Sequence, residues 1–250
     1  MAKPALIFCH GAWHGPEYWK KNLIPALESD GFHCVAEQMI FAGDSPANGI
    51  KPAIDQMVEL LEAEVSKGRN VILVNHSVGG SVGSSGAKGY TEQNPSRLKE
   101  GYSRVIGICQ VCAFTPPDNT ALINMSGPRE HGRLFYNRDS EGWEVFKDGY
   151  DMRDVFYNEC PPKDRDVYVW MLKKQRSDTY EGPPRREGVY AGWMDVPTWY
   201  LLCSKGNAIP IDLQEYMVGE AREMGADLTT RRLDADHSPF YSKPQETLDL

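Results

Sequence analysis

The sequence predicts an α/β fold in which a mostly parallel sheet of about six strands is flanked by helices and carries an inserted helical cap. Three observations predict it. Short, almost uniformly apolar runs recur along the 250 residues, as expected of strands covered on both faces. Longer stretches with helical spacing lie between them, which implies right-handed crossovers between parallel strands. One segment of about eighty residues, between Ala113 and Thr198, interrupts this alternation.

Residues 5–9 (ALIFC), 33–37 (HCVAE), 70–75 (NVILVN), 105–113 (VIGICQVCA), 198–203 (TWYLLC) and 229–233 (TTRRL) read as strands. Residues 17–28 place Trp19, Leu23, Ile24 and Leu27 on one helical face, and Gly31 follows as a stop. Residues 54–65 do the same with Ile54, Met57, Leu60, Leu61 and Val65, and residues 212–223 form a third such segment. The interrupting segment holds much of the aromatic content, from Phe135 to Trp193. A structureless loop of that length is improbable inside a compact domain. A helical insertion is expected instead, with helices over 151–157 and 163–174. The chain then divides into a core of residues 1–118 and 196–250 and a cap of residues 119–195. The cap aromatics serve either as its own core or as the lining of a pocket above the sheet. Trp170 and Trp193 are the candidates for the second role.

Composition narrows the function. Lys and Arg number 27 against 35 Asp and Glu, a net charge of −8, which argues against a nucleic-acid binder. No apolar run approaches the ~18 residues of a membrane span, and the N-terminal apolar stretch is too short for a signal peptide. The six cysteines are dispersed, which reads as free thiols in a reducing, cytoplasmic setting. Cys109 and Cys112 have C-x-x-C spacing but lie in an apolar run with no second pair, so neither metal nor redox chemistry is expected of them. The basic run Lys173, Lys174, Gln175, Arg176 and the pair Arg185, Arg186 read as solvated faces. No Walker loop occurs, and no G-x-G-x-x-G follows a strand. No cofactor or metal is expected. The expected partner is a small-molecule substrate, and a homodimer stays open.

Three stretches carry chemistry. Asn75-His76-Ser77-Val78-Gly79-Gly80 follows a buried strand and precedes a small-residue helix start. A serine at such a sharp turn adopts a strained backbone that lifts its Oγ above the sheet, and Gly79 keeps the turn narrow. His10-Gly11-Ala12-Trp13-His14-Gly15 follows the first strand, where the N–H of Ala12 joins that of Val78 as a candidate oxyanion hole. Asp234-Ala235-Asp236-His237-Ser238-Pro239 follows the last strand and offers His237 as a general base, at the carboxyl end where ligands gather. The clustered Asp234, Asp236 and His237 fit a catalytic flank as well as a metal site. His14 and His76 join Trp170 and Trp193 as candidate substrate contacts.

In this order, and over essentially the whole chain, the stretches resemble the α/β-hydrolase superfamily. HGAWHGPEYW, NHSVGG, AFTPPD, CSKGNAIP and DADHSPFYSKPQE are most similar to the branch of plant hydroxynitrile lyases, methyl-salicylate and methyl-jasmonate esterases and small fungal secondary-metabolite hydrolases. The resemblance implies Ser77 as nucleophile, His237 as base, and the N–H groups of Ala12 and Val78 as oxyanion donors. It also implies an Asp after the penultimate strand, in a pattern like C-x-x-D-x-x-I-P. Here that pattern reads from Cys203 to Pro210, with Gly206 at the Asp position. Three accounts then compete: a substitute orienting residue from Asn207, Asp234, Asp236 or Asp118; a Ser77–His237 dyad acting on an activated ester or thioester; or proton-transfer chemistry in place of hydrolysis. Asp118 is preferred because some members take their acid from that strand. Three functions compete: a serine hydrolase of a small apolar ester, lactone or thioester; a non-hydrolytic lyase, isomerase or cyclase using the same Ser and His; and a catalytically silent receptor.

Overall fold

In the computed structural model, described over residues 3–44, 50–122, 125, 135–176 and 188–249, every side chain of strand β1 (Ala5–Cys9) is buried. Neighbours hydrogen-bond to it on both sides, β2 (His33–Ala36) and β3 (Val71–His76). Beyond β3 lie β4 (Val105–Val111), β7 (Thr198–Cys203) and β8 (Leu228–Leu233). All pairings in this six-stranded sheet are parallel, in the order β2-β1-β3-β4-β7-β8. Central strands made of Val, Ile, Leu and Phe bury both faces, and the strands at the two edges are partly exposed.

Helices cover the sheet as the spacing implies. α1 (Glu17–Ser29) buries Tyr18, Trp19, Leu23 and Ile24, and the chain leaves it through Gly31 at φ +85°. α2 (Ile50–Val65) buries Ile50, Ala53, Ile54, Met57, Leu61 and Val65, a single face at intervals of three and four. α3 (Gly79–Gly86) is a short glycine- and serine-rich helix buried at every position. Its composition gives poor intrinsic helicity but close approach. A Cβ on Gly79 would run into the Cys9 carbonyl, and one on Gly80 into that of Phe114. α6 (Ile211–Glu223) crosses between β7 and β8, and α7 (Pro239–Ser242) and α8 (Pro244–Leu248) close the chain against α1.

The segment between β4 and β7 contains α4 (Met152–Phe156) and α5 (Pro162–Trp170), close to the helices expected there. The carboxylate of Asp151 caps α4 by accepting the Arg153 N–H at 2.9 Å. The segment also contains an antiparallel hairpin, β5 (Tyr136–Arg138) and β6 (Glu144–Phe146), which the helical expectation missed. Asp139 closes its turn by accepting the N–H groups of Glu141 and Trp143. The run expected as a solvated face is partly core. Gln175 is fully buried, pairs by an isolated antiparallel bridge with Ala42, and accepts the Trp13 N–H on its Oε1. Arg185 and Arg186 lie outside the described residues. Trp13, in the loop after β1, packs against Phe135, Tyr136, Phe146 and Phe156, so the hairpin and α4 dock on that loop through aromatic rings. Among the described residues, no helix is long and apolar enough to cross a membrane.

Candidate active site

Ser77 stands between β3 and α3 with φ +53°, a conformation costly for any residue but glycine. The surrounding structure over-determines it. Its carbonyl accepts the N–H groups of Gly80 and Phe114, each at 3.0 Å, which ties the turn to the end of β4. The glycines of α3 let the helix press onto β1. A Cβ on Gly11 would stand 2.9 Å from Ser77 Cβ, so the loop after β1 also lies against the serine. Among the described residues, the N–H groups of Ala12 and Val78 have no hydrogen-bond partner, although both residues are buried. Unpaired buried donors are rare, and two beside one serine can hold the oxygen of a bound carbonyl.

Buried imidazoles brace this loop. His10 Nδ1–H donates to the Gly11 carbonyl at 2.8 Å, and its Nε2 accepts the Met39 N–H at 2.9 Å. His14 Nδ1–H donates to the Ala12 carbonyl at 2.6 Å, and its Nε2 accepts the Tyr157 hydroxyl at 2.8 Å. The ring thus fixes the orientation of the Ala12 peptide and links it to the end of α4. A chain of bonds then runs across the site. Gly11 N–H donates to the Tyr18 hydroxyl at 2.8 Å, Tyr18 donates to His76 Nδ1 at 3.0 Å, and His76 Nε2–H donates to the His237 carbonyl at 2.8 Å. Burial lowers the pKa of His10 to about 4 and that of His14 to about 3. Burial, with the nearby His237 and His14, also holds His76 well below the ordinary histidine value. These three rings are neutral supports.

His237 lies in the loop between β8 and α7, 2% exposed, with its ring centroid 4.6 Å from that of His76. Its Nδ1 faces the thiol of Cys112, at 3.3 Å from Sγ. Among the described residues, no carboxylate is hydrogen-bonded there. Cys112 follows β4 at φ +42°, and its sulfur stands 3.5 Å from where a Cβ on Gly206 would be. Gln214 of α6 braces the Gly206 turn, donating to the carbonyls of Cys203 and Ile209 at 3.0 and 2.7 Å. Asp236 is fully buried beside His237 but points elsewhere. It accepts from the N–H groups of Glu159 and Ser238, the Ser242 hydroxyl and the Cys160 thiol. Burial raises its pKa against the pull of those bonds. Asp236 therefore clamps the His237 loop to the α4–α5 connection.

Several expected residues fall elsewhere. Asp118, proposed to orient His237, instead accepts the Ala191 N–H at 2.7 Å and anchors the return of the chain toward β7. Asn207 donates to the Asp154 carbonyl, and Asp234 accepts from Ser204. Trp170 is 85% exposed at the end of α5. Trp193 is buried in a 3₁₀ turn, where its Nε1–H donates to the Pro116 carbonyl at 3.1 Å. His76 precedes Ser77 in the chain and its ring centroid lies 6.0 Å from that of His14, but both ring nitrogens of each are already engaged within the protein. Cys112 and Tyr18 were missed. The C-x-x-C spacing drew attention to Cys112 for a different chemistry, and Tyr18 offered only its helical position. Among the described residues, no cluster of three or more His, Cys, Asp or Glu side chains could hold a metal ion.

The profile of the alpha/beta hydrolase family matches residues 6–250. The chain is similar to the alpha/beta hydrolase nvfD of Aspergillus novofumigatus, at 29% identity over 98% of this chain and 93% of that one. It is also similar to methylesterase 1 of Arabidopsis thaliana, at 23% identity over 99% of this chain and 94% of the relative. Among solved structures, polyneuridine aldehyde esterase superposes with a TM-score of 0.72 at 19% identity, covering 99% of this chain and 97% of that one. A pyrethroid hydrolase from Sphingobium faniae superposes with a TM-score of 0.75 at 18% identity, covering 98% and 94%.

Proposed function

Since the chain belongs to the alpha/beta hydrolase family and is an enzyme of esterase-like kinship, we propose that it hydrolyses a small, largely apolar ester, lactone or thioester through an acyl-Ser77 intermediate. The observation that carries this reading is the strained Ser77 flanked by two unpartnered buried N–H groups. Ser77 Oγ attacks the substrate carbonyl carbon while its proton passes to His237 Nε2, the ring nitrogen that Cys112 leaves available. The carbonyl electrons move to oxygen, and the N–H groups of Ala12 and Val78 stabilise that charge as it develops. Donors of this kind contribute roughly 10²–10³ in rate each. The intermediate collapses, His237 returns the proton to the departing oxygen or sulfur, and water repeats the sequence to free the acid.

The relatives' names support an ester-like substrate class, and the aromatic shell around Trp13 and Phe156 supports an apolar one. Reaction with a fluorophosphonate probe tests the reading. Stoichiometric modification of Ser77, absent in folded Ser77→Ala, is expected. Folded protein that stays unmodified contradicts it. One observation favours a second reading: among the described residues the partner of His237 Nδ1 is the Cys112 thiol and not a carboxylate, which suits proton transfer in a lyase or cyclase as well. Under that reading, Gly206→Asp raises turnover of simple esters while leaving the native reaction unchanged.

A further inference from the structure

Building on the acyl-enzyme reading above, we infer that Cys112 is the positioning residue of the proton relay, its thiolate accepting the Nδ1–H of His237 in the place a carboxylate would occupy. Three features of the geometry support this. The sulfur lies 3.3 Å from Nδ1, within sulfur hydrogen-bond range. The same sulfur is 3.5 Å from the Cβ position of Gly206, an ordinary contact distance, so positions 112 and 206 border one space. And Cys112 adopts φ +42° at the end of β4, a conformation costly for any residue but glycine, with its N–H held by the Leu201 carbonyl at 3.0 Å.

The charged and titratable groups around the sulfur favour its ionised form. Burial raises the Cys112 pKa, while hydrogen bonds from Cys203 and from His237 Nδ1–H lower it, and the positive charge that His237 carries once it has taken a proton lowers it further. Asp236 opposes this shift. Cys203 itself is held well above the ordinary thiol value by burial and by Cys112, so it stays a donor. Tyr200, raised by burial and by Cys112, stays a neutral phenol that donates to the Ala113 carbonyl. The Ile209 carbonyl, 4.0 Å from the sulfur, accepts only from a thiol and so opposes the ionised form. Around His237, the rings of His14 and His76 are neutral and place no charge against it.

Protonation decides the tautomer. A thiolate accepts Nδ1–H, which leaves Nε2 bare to take the Ser77 proton. A thiol would instead donate S–H to Nδ1 and leave the ring proton on Nε2, where it blocks that transfer. Trapping the wrong tautomer costs roughly 10⁴ in a triad enzyme. Throughout the reaction the thiolate keeps its charge. It stabilises the imidazolium formed when Ser77 loses its proton, and no proton crosses from Nδ1 to sulfur.

The test compares wild type, Cys112→Ser and Cys112→Ser/Gly206→Asp in hydrolysis of an activated aryl acetate across pH. Cys112→Ser keeps the size and removes the charge, so a loss of roughly 10³-fold or more in kcat is expected. Gly206→Asp in that background is expected to restore at least roughly tenfold. It should also move the acidic limb to lower pH than in wild type, because a carboxylate stays ionised where a thiol is protonated. A wild-type rate and pH profile in Cys112→Ser, within roughly twofold, overturns the inference. So does a loss that Gly206→Asp does not rescue. Ultraviolet absorbance of the thiolate gives a readout independent of turnover. At neutral pH the wild type should exceed Cys112→Ser by one thiolate. That difference stands even if Ser77 proves not to be acylated, and its absence overturns the assignment of Cys112 alone.

Discussion

Tyr18 holds one hydroxyl between the Gly11 amide and the His76 ring, and through His76 it reaches the His237 backbone. Tyr18→Phe leaves a buried donor and a buried acceptor unpaired, at a cost of about 1–3 kcal/mol. Denaturant unfolding is expected to show that loss, and slower acylation of the proposed nucleophile should accompany it. Trp170→Ala is expected to change neither turnover nor stability, within about 0.5 kcal/mol, because the indole is exposed. A large rise in KM for Trp170→Ala would instead return that side chain to substrate contact. At this scale the sequence was informative about residues inside local motifs. Ser77, the N–H groups of Ala12 and Val78 as candidate donors, and His237 as candidate base each sit near a strand end beside diagnostic neighbours. Cys112 was hidden because its position against His237 depends on the pairing of β4 with β7 and on an absent side chain at 206. Asp118, expected to orient His237, turns toward the Ala191 amide instead.

Elements set the tolerance of the site. α3 has a composition that would not sustain an isolated helix, yet its glycines allow Cys9 and Phe114 carbonyls to approach the turn. Gly79→Ala is expected to push α3 off β1 and to cost about 1–3 kcal/mol, with loss of probe reactivity at Ser77 even in protein that still folds. Asp118→Ala removes the acceptor of the Ala191 amide. A stability loss of about 1–3 kcal/mol is expected, with no change in the pH profile of turnover. A displaced acidic limb in Asp118→Ala would contradict the geometry at His237. Strands and long helices were legible because burial on two faces and a 3.6-residue period write themselves into sequence. The β5–β6 hairpin was not. Its strands have three residues each and its turn is closed by the Asp139 side chain, signals too short to stand out among aromatics. Gln175 was misjudged for a related reason. A polar residue in a basic run gives no hint that a loop from the far end of the chain will bury it.

Across the whole molecule, neutral buried imidazoles make acid stability a property of the site. His10, His14 and His76 have folded-state pKa values below the unfolded value of 6.5. Their contribution is complete above that value and declines as pH falls below it, because only the unfolded chain then takes up the protons. Each ring withdraws about 1.4 kcal/mol per pH unit until its own folded pKa is reached. The thermal midpoint is therefore expected to fall steeply between about pH 6 and pH 4, and His14→Asn should flatten part of that slope. The same sheet and loops that hold these rings neutral also carry Ala12, Ser77 and His237, so unfolding in acid and loss of acylation should coincide. The most direct measurement of the proposed chemistry is a pre-steady-state burst with an activated aryl acetate, followed by mass analysis of the trapped protein. The expected result is one acetyl group per chain on Ser77, with the burst lost in Ser77→Ala and slowed by roughly 10³-fold or more in His237→Ala. Turnover that proceeds with no adduct on Ser77, at equal rate in Ser77→Ala, would contradict it.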